Sequence, residues 1–133
     1  MKKRLLVLLM ILSIFSLQFV MADTPTPYTY FVSLNDPDLY SAKGILKIQA
    51  NVETNQFVDK IQVTYTLERL EGGVWKYFDS DTYSETNTNT LYHTFAVTRA
   101  SKGYAYRVST EAKVTDNGVT EYHTSNYKKY SFN

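Results

Sequence analysis

Trp75, Tyr77, Asp79, Asp81 and Tyr83 follow one another at alternate positions, a short stretch that brings aromatic rings and carboxylates able to bind a ligand together. Indole and phenol rings with polar tips suit sugar stacking and protein interfaces alike, and carboxylates beside them can accept hydrogen bonds from hydroxyls. These five side chains are the candidate ligand-binding residues. For Trp75 the competing role is packing in the core or hairpin, because Val74 and Phe78 contend with it for the inward face.

Catalysis has little to start from. An acyl-transfer triad needs a nucleophile, a histidine base and an orienting acid, and the chain holds only His93 and His123 and no Cys. His93 shares parity with Leu91 and Phe95, which favours a packed or strand-edge imidazole. His123 sits among Thr, Ser, Asn and Tyr, which favours an exposed one. No Ser lies in a Gly-x-Ser-x-Gly turn, and no Gly-rich segment would cradle phosphate. Asp36 with Asp38 and Asp79 with Asp81 are the close carboxylate pairs. Calcium wants 6 to 8 oxygen ligands, so the pairs read instead as a turn and a solvated loop. No catalytic residue, metal site or cofactor is assigned. A small secreted hydrolase using Asp79, Asp81 or His93 is the remote alternative to a non-enzyme.

The elements that must position these groups are strands. All 12 Tyr and the one Trp lie after residue 22, and Thr is abundant there, a composition that favours strands over helices. Residues 23–27 alternate Thr and Pro and read as a linker. Residues 28–34 form a possible first strand, and Asn35, Asp36, Pro37 and Asp38 a turn. From Ile45 the period becomes two: Leu46, Ile48, Ala50 and Val52 share one face. Ile61, Val63, Tyr65 and Leu67 repeat the pattern, and Gly72 and Gly73 turn the chain into a strand over residues 74–78. Leu91, Phe95 and Val97, then Tyr104, Tyr106, Val108, Ala112 and Val114, mark two more strands. Asp116, Asn117 and Gly118 make the strongest hairpin signal, and residues 119–127 return. Lysines 128 and 129 suit an edge strand. The prediction is an all-β fold: an antiparallel two-layer sandwich of the immunoglobulin kind with about seven strands. Ile48, Val63, Tyr65, Leu67, Phe95, Val97, Tyr106 and Val108 are its expected core. Tyr104 is expected to be buried at a corner with its hydroxyl on backbone.

The first 22 residues differ from the rest. Lys2, Lys3 and Arg4 precede an apolar run from Leu5 to Phe19 broken by Ser13, Ser16 and Gln18, the layout of a secretory signal peptide cleaved after Ala22. At about 15 residues the run is short for the ~20 of a spanning helix, and no second such run follows. With the leader's three cations set aside, 11 of the 14 basic residues stand against 13 acidic ones, a formal charge of −2 that excludes a cationic nucleic-acid binder. Without cysteine, neither disulfides nor a lipid-modified thiol can hold or tether the exported domain. The organisation is therefore a signal peptide over 1–22, a linker and possible first strand over 23–40, and the sandwich domain over 41–133. No membrane span remains after cleavage.

Residues 102–108 (KGYAYRV) resemble the sixth strand of a fibronectin type III domain, and residues 65–75 (YTLERLEGGVW) its third strand and hairpin. Together these blocks resemble, more broadly over residues 41–133 and the leader, a family of small secreted Gram-positive bacterial proteins that is uncharacterised as a family. The resemblance implies an immunoglobulin-like or fibronectin type III-like sandwich and an extracellular or envelope-associated location, and carries no catalytic residue. The function that follows is a non-catalytic secreted or cell-surface interaction module with a protein partner favoured. The alternative is a carbohydrate- or cell-wall-binding module using exposed aromatics.

Overall fold

The computed structural model describes residues 31–133, all in strands and the turns that join them. The leader, the Thr-Pro segment and residues 28–30 of the first expected strand lie outside the described residues. Among the described residues no helix is long and apolar enough to cross a membrane. Seven strands form one antiparallel sheet: β1 (Phe31–Leu34), β2 (Asp38–Ala42), β3 (Ile45–Glu71), β4 (Val74–Val97), β5 (Tyr104–Asp116), β6 (Val119–Thr124) and β7 (Lys128–Phe132).

β3 and β4 dominate. The sequence suggests two separate strands on either side of residues 53–60, yet β3 runs through them without a break for 27 residues. What occurs there is a bulge: Glu53 pairs with Thr90 and Val58 with Thr88, so four β3 residues face the single Asn89 of β4. A wide excess of chain on one strand bends the pair and strengthens its twist. Thr54 secures the bend by donating its hydroxyl toward the carbonyls of Gln56 (2.8 Å) and Asn89 (3.1 Å). The buried set shifts accordingly from even positions (Leu46, Ile48, Ala50, Val52) to odd ones (Ile61, Val63, Tyr65, Leu67).

The near half of the hairpin carries β2 and β1 on β3, while the far half carries β5 with β6 and β7 beyond it. Curling brings the inward faces of the halves together. Tyr65 of the far half donates its hydroxyl to the His93 carbonyl of the near half at 3.0 Å, and its ring lies 5.9 Å from that of Phe95. One core results, holding Ile48, Val63, Tyr65, Leu67, Val97, Tyr106 and Val108 as expected; Phe95 is half-buried against it. Each fully buried Leu, Ile or Val contributes roughly 1.5–3 kcal/mol. The sheet also reaches further back than residue 41, since Leu39 of β2 is in the core.

The corner tyrosine is one strand repeat later than expected. Tyr104 is 40% exposed and stacks under the Arg69 guanidinium at 4.5 Å. Tyr106 is fully buried; its hydroxyl accepts from the Ser101 amide at 2.9 Å and donates to the Ser101 carbonyl at 3.1 Å. The two tyrosines lie two residues apart on one face with unbroken register between them; Tyr106 pairs with both Tyr130 and Arg69 inside the ladder, while Tyr104 lies at the strand start and pairs with Phe132.

Candidate functional site

The five candidate residues all lie on β4, but the strand divides them between two faces. Gly72 and Gly73, both at positive φ (58° and 80°), turn the chain from β3 into β4. Glu68 then pairs with Tyr77 and Leu67 with Asp79, leaving Phe78 as an extra residue. That bulge reverses the alternation. Trp75 and Tyr77 share one face, as the spacing implied, and it is the outer one, opposite Leu70 and Glu68, so Trp75 is not part of the core. Asp79, Asp81 and Tyr83 turn inward, opposite Leu67, Tyr65 and Val63, and so are strand residues rather than the solvated loop suggested by their polarity.

On the outer face Trp75 joins residues that period-two reading alone leaves scattered. The Arg107 guanidinium of β5 lies 4.8 Å from the Trp75 ring and 4.2 Å from that of Tyr127, and the Lys129 ammonium is 5.9 Å from Trp75. Arg107 Nε donates to Glu68 Oε2 at 2.6 Å, which raises the pKa of the guanidinium and fixes its head. Tyr77, 66% exposed, stands in the same row as Glu68, Arg107 and Lys129, with its hydroxyl 3.0 Å from Ser80 Oγ. Lying between the inward Tyr106 and Val108, Arg107 is on the polar face of its strand by parity alone. Its meeting with Trp75 and Tyr127 depends on ladder register, which no local pattern encodes. At the hairpin tip Arg69 and Lys76 both pair with Glu71, holding its carboxyl below the usual range.

The inward rim is closed by its own contacts. Asp79 Oδ1 accepts from Arg99 Nη2 at 2.8 Å and from the Ser80 amide at 3.0 Å. Tyr83 stacks on His93 with centroids 4.0 Å apart and planes 8° from parallel, and donates its hydroxyl to Glu85 at 3.2 Å, which raises the phenol's pKa. His93 is thus the packed histidine its parity implied, and its Nδ1 lies 3.3 Å from the Tyr65 hydroxyl. Burial, with the Asp81 carboxylate adding to it, pushes the Tyr65 phenol far above its ordinary range. A phenol so held is a hydrogen-bond donor and a poor nucleophile.

The remaining singled-out groups have structural partners. Asp36 Oδ1 accepts from the Asn126 amide at 3.1 Å, tying the β1–β2 turn to the segment before β7, whereas Asp38 opens β2. His123, expected to be exposed, is half-buried and lies 3.4 Å from Glu121 Oε2. Among the described residues no three His, Asp or Glu side chains converge as metal ligands. Comparison with protein-family models and with curated proteins finds no match.

Proposed function

We propose that this chain is a non-catalytic, secreted or cell-surface interaction module that engages a protein partner through its outer face. The observation that carries the reading is the assembly of Trp75, Arg107, Tyr127 and Lys129, with exposed Tyr77 in the same cross-strand row as Arg107 and Lys129. Trp, Tyr and Arg dominate the energetics of protein interfaces, and an arginine already held by Glu68 and two rings loses little freedom on binding. Export is supported by the basic, apolar leader over residues 1–22. An immunoglobulin-like, fibronectin type III-like arrangement is supported by the meeting of the two inward faces and by the Tyr106 hydroxyl on Ser101.

The exposed Tyr77 ring favours a second reading, a carbohydrate- or cell-wall-binding module. Its original five-residue set cannot act as one platform, because Asp79, Asp81 and Tyr83 face the other way. A pull-down with wall polysaccharides and with surface proteins bearing a photo-crosslinker at position 77 separates the two. Cross-linked protein lost in Trp75→Ala and Arg107→Ala supports the first reading. Retention on polysaccharide lost in Tyr77→Ala supports the second, and turnover of any wall polymer overturns the non-enzymatic assignment.

A further inference from the structure

β4 differs from every other strand at a rim of this sheet. β1, β2, β6 and β7 are 4, 5, 6 and 5 residues long, whereas β4 runs for 24 residues with β3 as its one ladder neighbour among the described residues. Long open edges are templates for strand pairing, and proteins guard them with Lys, Pro or brevity. Lys128 and Lys129 lie on β7 and Pro37 precedes β2; from residue 80 to residue 90 β4 contains no Lys, Arg or Pro.

Among the described residues its edge is capped only at the two ends of that stretch. The Ser80 amide is taken by the Asp79 side chain at 3.0 Å. At Thr90 the Thr88 hydroxyl accepts from the amide at 3.2 Å and donates to the carbonyl at 2.7 Å. Counting from Ser80 by the two-residue repeat, the backbone N–H and C=O of Thr82, Ser84 and Thr86 point away from β3.

We propose that β4 between residues 80 and 86 accepts an extended, basic polypeptide segment as an added antiparallel strand. The inference rests on the interaction-module reading and names a surface and a class of partner for it. Charge selects the partner. Asp79 is already paired with Arg99, whereas Asp81 and Glu85, the latter accepting only the neutral Tyr83 hydroxyl, flank Tyr83 on the inward row with no cation beside them among the described ion pairs, and an added strand sets its own alternate side chains directly opposite these three. Lys or Arg fits opposite each carboxylate and an apolar residue opposite Tyr83, with small polar residues between them facing Thr82 and Ser84. A second copy of this chain fits worse, because antiparallel self-pairing centred on Tyr83 sets Asp81 of each copy against Glu85 of the other.

The test titrates the whole chain with a synthetic ten-residue peptide that alternates Lys with Thr and carries Val at its central lysine position. Two comparison peptides are used, one N-methylated at alternate amides and one with Glu in place of Lys. Binding of the parent peptide, with new amide-exchange protection at Thr82, Ser84 and Thr86, supports the proposal. So does weakening by about tenfold or more on N-methylation, on Lys-to-Glu exchange, and in the Asp81→Asn, Glu85→Gln chain. The N-methylated peptide is read against wild type, so that comparison does not depend on a variant folding. Equal affinity of the methylated peptide, protection on another strand, or no binding of the parent peptide overturns it. If cross-linking at position 77 still responds to Trp75→Ala while the peptide fails, the interaction-module reading stands and the β4 assignment falls.

Discussion

At the scale of single residues, two tyrosines do work that composition alone left ambiguous. Tyr106 is buried with both hydrogen-bonding capacities of its hydroxyl used by Ser101, and Tyr104 is half in solvent beside Arg69. Tyr106→Phe is therefore expected to cost on the order of 1 kcal/mol in urea denaturation, and Tyr104→Phe close to nothing. Equal losses would show that the corner bond is not what stabilises the turn before β5. Tyr65 gives a pH signature. Its phenol is pushed far above the ordinary value near 10 by burial and by Asp81, so above about pH 10 the unfolded chain releases this proton while the folded chain retains it. Its contribution to stability is fully present below that pH and is lost as pH rises toward the folded-state value. Denaturation midpoints measured from pH 8 to 11 should fall less steeply in Tyr65→Phe than in wild type. Parallel curves would mean that Tyr65 does not carry the alkaline loss.

At the scale of elements, what was legible in the sequence is what depends on alternation alone. Leu46, Ile48, Ala50 and Val52, and then Ile61, Val63, Tyr65 and Leu67, announce their faces by period two, and all are buried. What was not legible lies at the two bulges, where the period breaks for geometric reasons. Residues 53–60 and 79–90 are polar and irregular because the sheet bends there or presents a rim, and a polar rim strand looks like a loop when no partner is known. The Phe78 bulge likewise separates Trp75 and Tyr77 from Asp79, Asp81 and Tyr83, so a binding site that looked contiguous in sequence is split. A two-residue turn was missed for a simpler reason. Lys43 and Gly44 adopt the same pair of positive φ angles (53° and 73°) as Asn117 and Gly118 (47° and 78°), but Lys is a poor marker of that conformation. Asn tolerates it better. Lys43→Asn is accordingly expected to raise stability by a few tenths of a kcal/mol to about 1 kcal/mol, read as a shift of the thermal midpoint. A decrease would indicate that the Lys43 side chain makes a stabilising contact that offsets its strained backbone.

At the scale of the whole molecule, a single sheet curled around a single core has a consequence for how it comes apart. The near half, with β1 and β2, and the far half, with β5, β6 and β7, share the long hairpin, and neither half covers its own inward face. Leu39 on β2 and Phe132 on β7 lie at opposite ends of the ladder network, yet both are buried in the same core, the Phe132 ring meeting Tyr106 edge-on at 6.4 Å. Opening either half exposes the other, so equilibrium unfolding should be one cooperative transition, with far-ultraviolet and aromatic-region circular dichroism superimposing. Leu39→Ala is expected to cost about 2–5 kcal/mol and Phe132→Ala about 3–5 kcal/mol, each a large share of the ~5–15 kcal/mol that stabilises a domain of this size. Each should move that one transition as a whole. Were Leu39→Ala to split it, with the aromatic signal of the far half surviving beyond loss of the near half, the far half would be an independent folding unit, and the Tyr65–His93 contact between the halves would be a late docking event.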